Sequence, residues 1–178
     1  MAVAASDLKW KLSINTGPGN STAQTNLADS TGGFMASTEF NDSSLHNLFD
    51  AVTGEENAAS TVEYRCIFIH NSNAADSLTN AVVWLPSVYA GGADLAIAKD
   101  GTGAVAYNSA SAQAEREANT TTAPTGETFS APSSKASGIS IGTLGANQCV
   151  AIWLRRTATD SAALSPDGGS IRIEGDVA

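Results

Sequence analysis

Short segments in which apolar and polar residues alternate recur through the chain, and this pattern constrains the fold more than any other feature. In residues 7–14, for example, every even position is Leu, Trp or Ile, while the odd positions are polar. A period of two residues is typical of a β-strand with one buried face. No βαβ alternation, sustained heptad or fixed-period repeat accompanies it, so the sequence predicts an all-β protein.

The predicted strands are separated by glycine, proline or asparagine, which interrupt β-ladders. About seven to nine short strands are expected, drawn from residues 7–14, 34–40, 63–70, 78–85, 94–98, 105–107, 127–130, 137–141, 149–156 and 170–174. Residues 63–70 and 149–156 are apolar on both faces, which indicates central strands. Residues 63–70 and 78–85 are predicted to pair antiparallel, with Pro86 ending the second strand. Such a pattern is typical of a β-sandwich or barrel, and we predict one β-sandwich domain over residues 1–178, Ig-like or jelly-roll-like.

Three segments do not fit the strand pattern. Residues 42–53 are predicted to form one short helix, because apolar side chains recur at helical spacing and Gly54 follows. Residues 109–118 are open to two interpretations, a short helix or an exposed crossover. Residues 1–44 are expected to form the N-terminal strand plus a long extended arm, whose part from 15 to 44 has few apolar anchors. We expect that part to become ordered mainly against a partner.

Charge and length exclude several functional classes. The 178 residues suffice for a core that needs no metal or disulfide. Nine basic against eighteen acidic residues give a net charge of −9, which disfavours nucleic acid and anionic membranes as partners. The first residues lack a signal-peptide pattern, and no apolar run approaches the roughly 18 residues of a membrane span. We therefore expect synthesis in a host cytoplasm.

The residue types that usually carry chemistry are few. His46 is expected to be a surface or capping histidine near Asp50, and His70 a hydrogen-bonded strand end. Cys66 and Cys149 lie in apolar strands and are expected to be buried; reduced thiols are favoured, but a disulfide between them stays open. The sequence has no HExxH, CxxC or phosphate-loop spacing, and its one GxSxG spacing, at residues 138–142, lies in a predicted strand. We therefore predict no enzyme, no catalytic residues, no cofactor and no metal site.

Other polar and aromatic residues have two interpretations each. The aspartates within 94–100 and 160–167 are expected to form turns, the alternative being calcium ligands. Arg155 and Arg156 fit an edge charge or an interface arginine. The three tryptophans lie in predicted strands and are expected in the core, although an exposed one would suit carbohydrate binding.

Two stretches resemble a family of tailed-bacteriophage virion structural proteins, which are small β-sandwich components. They are Asn47-Leu48-Phe49-Asp50 followed by residues 63–71, and residues 123–129 together with 149–157; Gly32-Gly33 also fits. The resemblance covers roughly residues 30–174, and its motifs are structural.

The resemblance implies a location in the virion and, as the leading role, a capsid decoration (cement) protein. Such a protein binds and stabilises neighbouring major capsid subunits, often as a homo-oligomer, with a trimer favoured. A tail, baseplate or fibre component is the first alternative, and a carbohydrate-binding adhesin-type sandwich is the second.

Overall fold

The computed structural model describes residues 2–40, 46–162 and 167–177. Within them lie nine strands and one short helix. The strands are β1 (Leu8–Ile14), β2 (Phe34–Glu39), β3 (Val62–Asn71), β4 (Leu78–Val88), β5 (Asp94–Lys99), β6 (Val105–Ala106), β7 (Ile139–Leu144), β8 (Gln148–Thr157) and β9 (Gly169–Val177), and helix α1 is Gly54–Ala58. Three-residue 3-10 turns occur at Ala5–Asp7, Leu27–Asp29 and Lys135–Ser137. No described helix has the length and apolar character needed to cross a membrane.

The strands form two antiparallel sheets, so the predicted all-β, sandwich-like fold is confirmed. The larger sheet has the order β2-β1-β3-β8-β5, with β6 also pairing with β8. The smaller sheet has the order β7-β4-β9. The sheets pack face to face, because one apolar cluster contains buried side chains from both, among them Ile67 and Ile152 from the larger and Val83 and Leu144 from the smaller.

Both faces of the larger sheet are covered. Alternate residues of β3 and β8 point away from the smaller sheet and form a second apolar cluster that includes Met35, Phe68 and Trp153. In β1, the polar residue Ser13 is also fully buried, although its sequence neighbours Leu12 and Ile14 face the main core on the other side of the sheet. Irregular segments cover this second face, which explains why β3 and β8 are apolar on both sides, as predicted for central strands.

The N-terminal loop is one of those covering segments, and its described residues contact the chain itself, whereas the sequence predicted that they become ordered mainly against a partner. The buried Ser30 hydroxyl donates to the Cys66 carbonyl at 2.8 Å and accepts from the Ser13 amide at 2.9 Å. The Gln24 amide reaches the Ser13 carbonyl at 3.1 Å. Polar hydrogen bonds to the chain itself take the place of the apolar anchors that the sequence lacks. Residues 41–44 lie outside the described residues.

Two predictions about β4 are wrong. It does not pair with β3, which lies between β1 and β8; its partners are β7 and β9 in the other sheet. The chain changes sheets in the turn after β3, where the Asn71 amide holds the carbonyls of Asp76 and Leu144 at 2.9 and 3.1 Å. Strand β4 also continues through Pro86, because the register with β9 shifts there and the missing N–H breaks no regular ladder.

The predicted helices also need correction. Residues 46–53 are not helical, and residues 42–45 lie outside the described residues. The helix begins one residue after Thr53, whose hydroxyl accepts from the Glu56 amide while Glu56 accepts from the Thr53 amide. This capping box fixes the start of α1 more strongly than the apolar spacing upstream.

Residues 109–118 and 127–130 form less regular structure than predicted. The first segment contains no helix and is not an exposed crossover, because Gln113 within it is fully buried and accepts from the Met35 amide at 2.8 Å. In the second, only Ser130 makes a β-bridge, to Ile97.

Candidate functional site

Both cysteines are buried side chains on strands of the larger sheet. Cys66 and Cys149 are free thiols with no exposed surface, which answers the question of a disulfide that the sequence left open. Burial raises the pKa of the Cys66 thiol well above its ordinary value and that of Cys149 to about 12. A thiol that stays protonated and lacks access to solvent is a packing residue rather than a nucleophile.

His70 is buried but is not the hydrogen-bonded strand end that the sequence predicted. Its side chain stacks on Tyr107, with ring centroids 5.0 Å apart and an interplanar angle of 20°. Neither ring nitrogen has a hydrogen-bond partner. Burial, reinforced by the charge of Lys11 and opposed by that of Glu39, lowers the pKa of His70 to about 4. The ring is therefore neutral near pH 7 and lies among residues that offer no substrate access.

His46 and the aspartate-rich turns show no assembled site. His46 is exposed in a turn with φ of 55°, while the Asp50 carboxylate pairs with Arg156 at 3.2 Å. Asp100 accepts from the Thr102 amide at 2.9 Å, as turn-forming aspartates do. Asp167 instead accepts from the distant Ala93 amide, also at 2.9 Å, and so joins two loops. Across the described ranges, no three His, Cys, Asp or Glu side chains are grouped to hold a metal ion.

The tryptophans are packed as predicted, and one of them anchors the loop layer. Trp153 is fully buried and Trp84 is 6% exposed, whereas Trp10 is half-buried against the main core. The Trp153 indole N–H donates to the Asp100 carboxylate at 2.9 Å, and the same oxygen accepts from the Glu115 amide. The bond therefore joins strand β8 to two covering loops.

A compact charge cluster closes one end of the sandwich. The Glu63 carboxylate accepts from Arg65 through one oxygen, at 3.4 Å, and from Arg156 through the other. Arg156 also donates to the backbone carbonyl of Asp50 and contacts its carboxylate. The two guanidinium carbons lie 5.2 and 4.9 Å from the centre of the Phe49 ring. Two cations thus meet two carboxylates and one aromatic face.

The structure excludes one of the two interpretations of the double arginine, the edge charge. Strand β8 is central, so the interpretation as an edge charge is wrong. Arg156 is 8% exposed and is held within the chain, while Arg155 is half-buried over the Phe129 ring at 5.3 Å. The sequence analysis missed the roles of Phe49 and Glu63, because nothing in the sequence marks either residue as a partner of Arg156, which lies 93 positions after Glu63.

A small depression lies beside the charge cluster. Its volume is about 350 Å³, and its lining residues are Thr25, Asn26, Leu27, Ala28, His46, Leu48, Asp50 and Arg65. The only cation in its described wall with substantial burial, Arg65, already donates to Glu63 and to the Tyr64 carbonyl. The wall is therefore close to charge-neutral, and half of its residues belong to the N-terminal loop.

The large apolar side chains that stay exposed lie in or next to the smaller sheet. Among the described residues they are Val88, Tyr89 and Val177, with 37%, 54% and 49% of their surface accessible. Val88 and Val177 belong to the neighbouring strands β4 and β9, and Tyr89 follows β4 directly. Val88 pairs with Gly169 at one end of β9 and Val177 lies at the other end, so the three residues do not form one contiguous patch.

Comparison with known proteins gives no relative. A scan against protein-family models, a search of curated proteins and a search of solved structures each found no match.

Proposed function

We propose that the chain is a phage virion structural protein, acting as a capsid decoration (cement) protein that binds and stabilises neighbouring major capsid subunits. The observation that supports this most is the second face of the larger sheet, where polar loops are held down by hydrogen bonds to the strands. A binding protein gains from such an arrangement, because a surface that is already ordered loses little conformational entropy on docking.

The positions of the reactive side chains support a binding role over turnover. The thiols are buried and protonated, and the one buried histidine is neutral and stacked on a tyrosine. Many identical sites on a shell let modest contacts per subunit add to strong attachment through avidity. The sequence resemblance to virion proteins supplies the identity of the proposed partner.

The alternatives differ in how the observations bear on them. A tail, baseplate or fibre component uses the same kind of rigid sandwich and stays the second candidate within the virion. The adhesin-type alternative is disfavoured, because Trp84 and Trp153 are buried and Trp10 packs against the core. Self-association belongs to the proposal, with a trimer as the state that the resemblance implies, while nucleic acid and membrane are not proposed partners.

The N-terminal loop is the proposed contact with the shell, and a pair of matched alanines tests it. Ala28 is the exposed centre of the 3-10 turn Leu27–Asp29, next to β1 of the larger sheet. Ala136 is the exposed centre of the 3-10 turn Lys135–Ser137, next to β4 of the smaller sheet. A28W and A136W therefore add the same bulk to equivalent turns on opposite sides of the sandwich.

The assay is co-sedimentation of purified protein with shells that lack it. We expect saturable binding of the unmodified protein and of A136W, and binding of A28W weakened about tenfold or more, because hindrance at the centre of an interface removes its packing. Binding lost in A136W but kept in A28W would place the contact on the smaller sheet. Absence of binding by the unmodified protein to shells, with specific binding to isolated tails, would replace the decoration role by the tail alternative.

A further inference from the structure

The outer edge of β9 is an unpaired β-strand edge. Strand β9 is the last strand of the smaller sheet, and among the described residues it pairs only with β4. It is nine residues long, and an edge of this length presents a row of backbone N–H and C=O groups that can pair with another strand.

The apolar residues along this edge are incompletely covered. Ile171 and Ile173 pack against the main core but stay half-buried. Val177 at the end of the strand is 49% exposed. Among the described residues, the side of the core next to β9 is therefore incompletely covered, and one further strand in the same sheet would close it.

We propose that β9 pairs antiparallel with the β9 of a second copy of this chain, about a two-fold axis at Ile173. The pairing would join two three-stranded sheets into one continuous six-stranded sheet. This two-fold pairing replaces the trimer that the resemblance implies, requires no other part of the proposed function and holds whichever virion component the chain is.

Charge complementarity selects the second copy as the occupant and fixes the register. With the axis at Ile173, Arg172 of each copy lies directly opposite Glu174 of the other, and directly opposite residues share a face of the sheet. Within one copy, Arg172 and Glu174 already pair at 2.5 Å, and Lys135 approaches Glu174 at 3.4 Å. The dimer therefore has a cluster in which each arginine meets two carboxylates.

Other antiparallel registers are less favourable. A shift by two residues in one direction places the Arg172 side chains of the two copies opposite each other, and the opposite shift does the same for Glu174. Either pair lies at the two-fold axis, where like charges repel. A shift by one residue places charged Arg172 opposite apolar Ile173 and mixes the two faces. The charges on this edge thus disfavour pairing with other strands and favour one antiparallel register of β9 with β9.

The same register brings one exposed apolar residue against an apolar row. It places Val177 of one copy opposite Gly169 of the other, and Gly169 is the partner of Val88 on β4. A Cβ at Gly169 would lie 2.9 Å from the Leu95 Cδ1, so the glycine makes room for Leu95 at this position. Val177, which is 49% exposed in the free chain, therefore gains apolar neighbours at each end of the dimer.

Sedimentation equilibrium of the free protein tests the pairing through charge reversal. We expect a species of twice the 18.1 kDa chain mass. R172E and E174R each place like charges opposite one another twice, so each should dissociate at least about tenfold more readily. An equimolar mixture of R172E and E174R restores opposite charges and should restore the dimer, as should the double reversal R172E/E174R.

The control is the exposed pair Lys9 and Glu39 on the larger sheet, 3.9 Å apart, where K9E should leave the association unchanged. Circular dichroism and thermal unfolding establish that each variant is folded. A protein that stays monomeric at all concentrations would overturn the proposal. So would a trimer, since a two-fold pair closes at two copies, or a dimer that does not respond to either reversal.

Discussion

His70 lies against Tyr107 with no partner for either ring nitrogen, and this position has a consequence for stability. Its pKa in the folded chain, about 4, lies below the ordinary value of 6.5. Between these values the unfolded chain binds more protons than the folded one, so stability rises with pH across this window. The contribution of His70 to stability is lost as the pH falls from about 6.5 towards 4.

We expect the unfolding free energy to drop by about 3 kcal/mol through His70 alone between pH 7 and pH 4. H70F keeps an aromatic ring against Tyr107 but does not titrate, so its stability should fall less over the same window. Urea unfolding at several pH values measures the difference between the two proteins, in which the contributions of the carboxylates cancel. Parallel stability curves for both would contradict the assignment.

Trp153 combines full burial with one hydrogen bond to Asp100, and two substitutions separate these contributions. W153A should reduce the unfolding free energy by about 3–5 kcal/mol, because it leaves a large cavity in a close-packed cluster. W153F retains most of the apolar contact and removes the N–H donor, so we expect a loss of about 1–3 kcal/mol. Chemical denaturation measures both, and a near-silent W153A would contradict the burial of Trp153.

At the level of elements, the ends of β3 and β8 are joined by the Glu63 carboxylate between two buried guanidiniums. E63Q leaves both cations without their shared counter-charge, and we expect a loss of about 3–5 kcal/mol of unfolding free energy. The matched control is E39Q, which removes an exposed carboxylate 3.9 Å from Lys9 and should cost at most about 1 kcal/mol. Equal losses in the two variants would contradict a structural role for the cluster.

The strands were predictable from the sequence, but their partners were not. Alternation in β1 and two-sided apolar character in β3 and β8 are local consequences of burial, and all three were predicted within two residues of their bounds. Pairing depends on where the chain crosses between sheets, and the turn after β3 does this through Asn71, whose amide bonds carbonyls from distant segments. No local pattern shows such a bond.

The prediction of a helix over residues 42–53 failed for a related physical reason. Apolar spacing before Gly54 is compatible with a helix, yet the reciprocal hydrogen bonds of Thr53 and Glu56 start α1 at Gly54, directly after the predicted helix ends. Leu48 is buried without a helix around it. The candidate charge cluster was likewise hidden, because only the pairing of β3 with β8 brings Glu63 beside Arg156.

For the whole molecule, the polar loop layer is the feature that distinguishes this sandwich from one with a solvated sheet face. The Gly33 amide donates to the Glu115 carbonyl at 3.0 Å, and the Gly32 amide donates to the Ser13 hydroxyl at 2.9 Å. Gly32 also approaches so closely that a Cβ there would lie 1.8 Å from the Glu115 carbonyl oxygen. The two loops are therefore fitted to each other at the backbone.

This fit predicts that the loop is ordered in the free protein. In hydrogen–deuterium exchange, the amides of Ser30, Gly32 and Gly33 should exchange on the timescale of the β-strands, because they are buried and hydrogen-bonded. The amides of residues 54–58 in the short helix α1, none of which is buried, provide an internal reference for fast local opening. Exchange of the three loop amides as fast as this reference would show that the loop needs a partner to order.

We propose that this sandwich covers a phage shell, and the copy number of the chain in virus particles tests that proposal most directly. Particles of a phage whose genome carries the coding sequence are purified, and the chain is quantified against the major capsid protein by isotope-dilution mass spectrometry. The decoration role predicts a fixed stoichiometric ratio to the capsid subunit, corresponding to many copies per shell. A handful of copies per particle, or none at all, would contradict it.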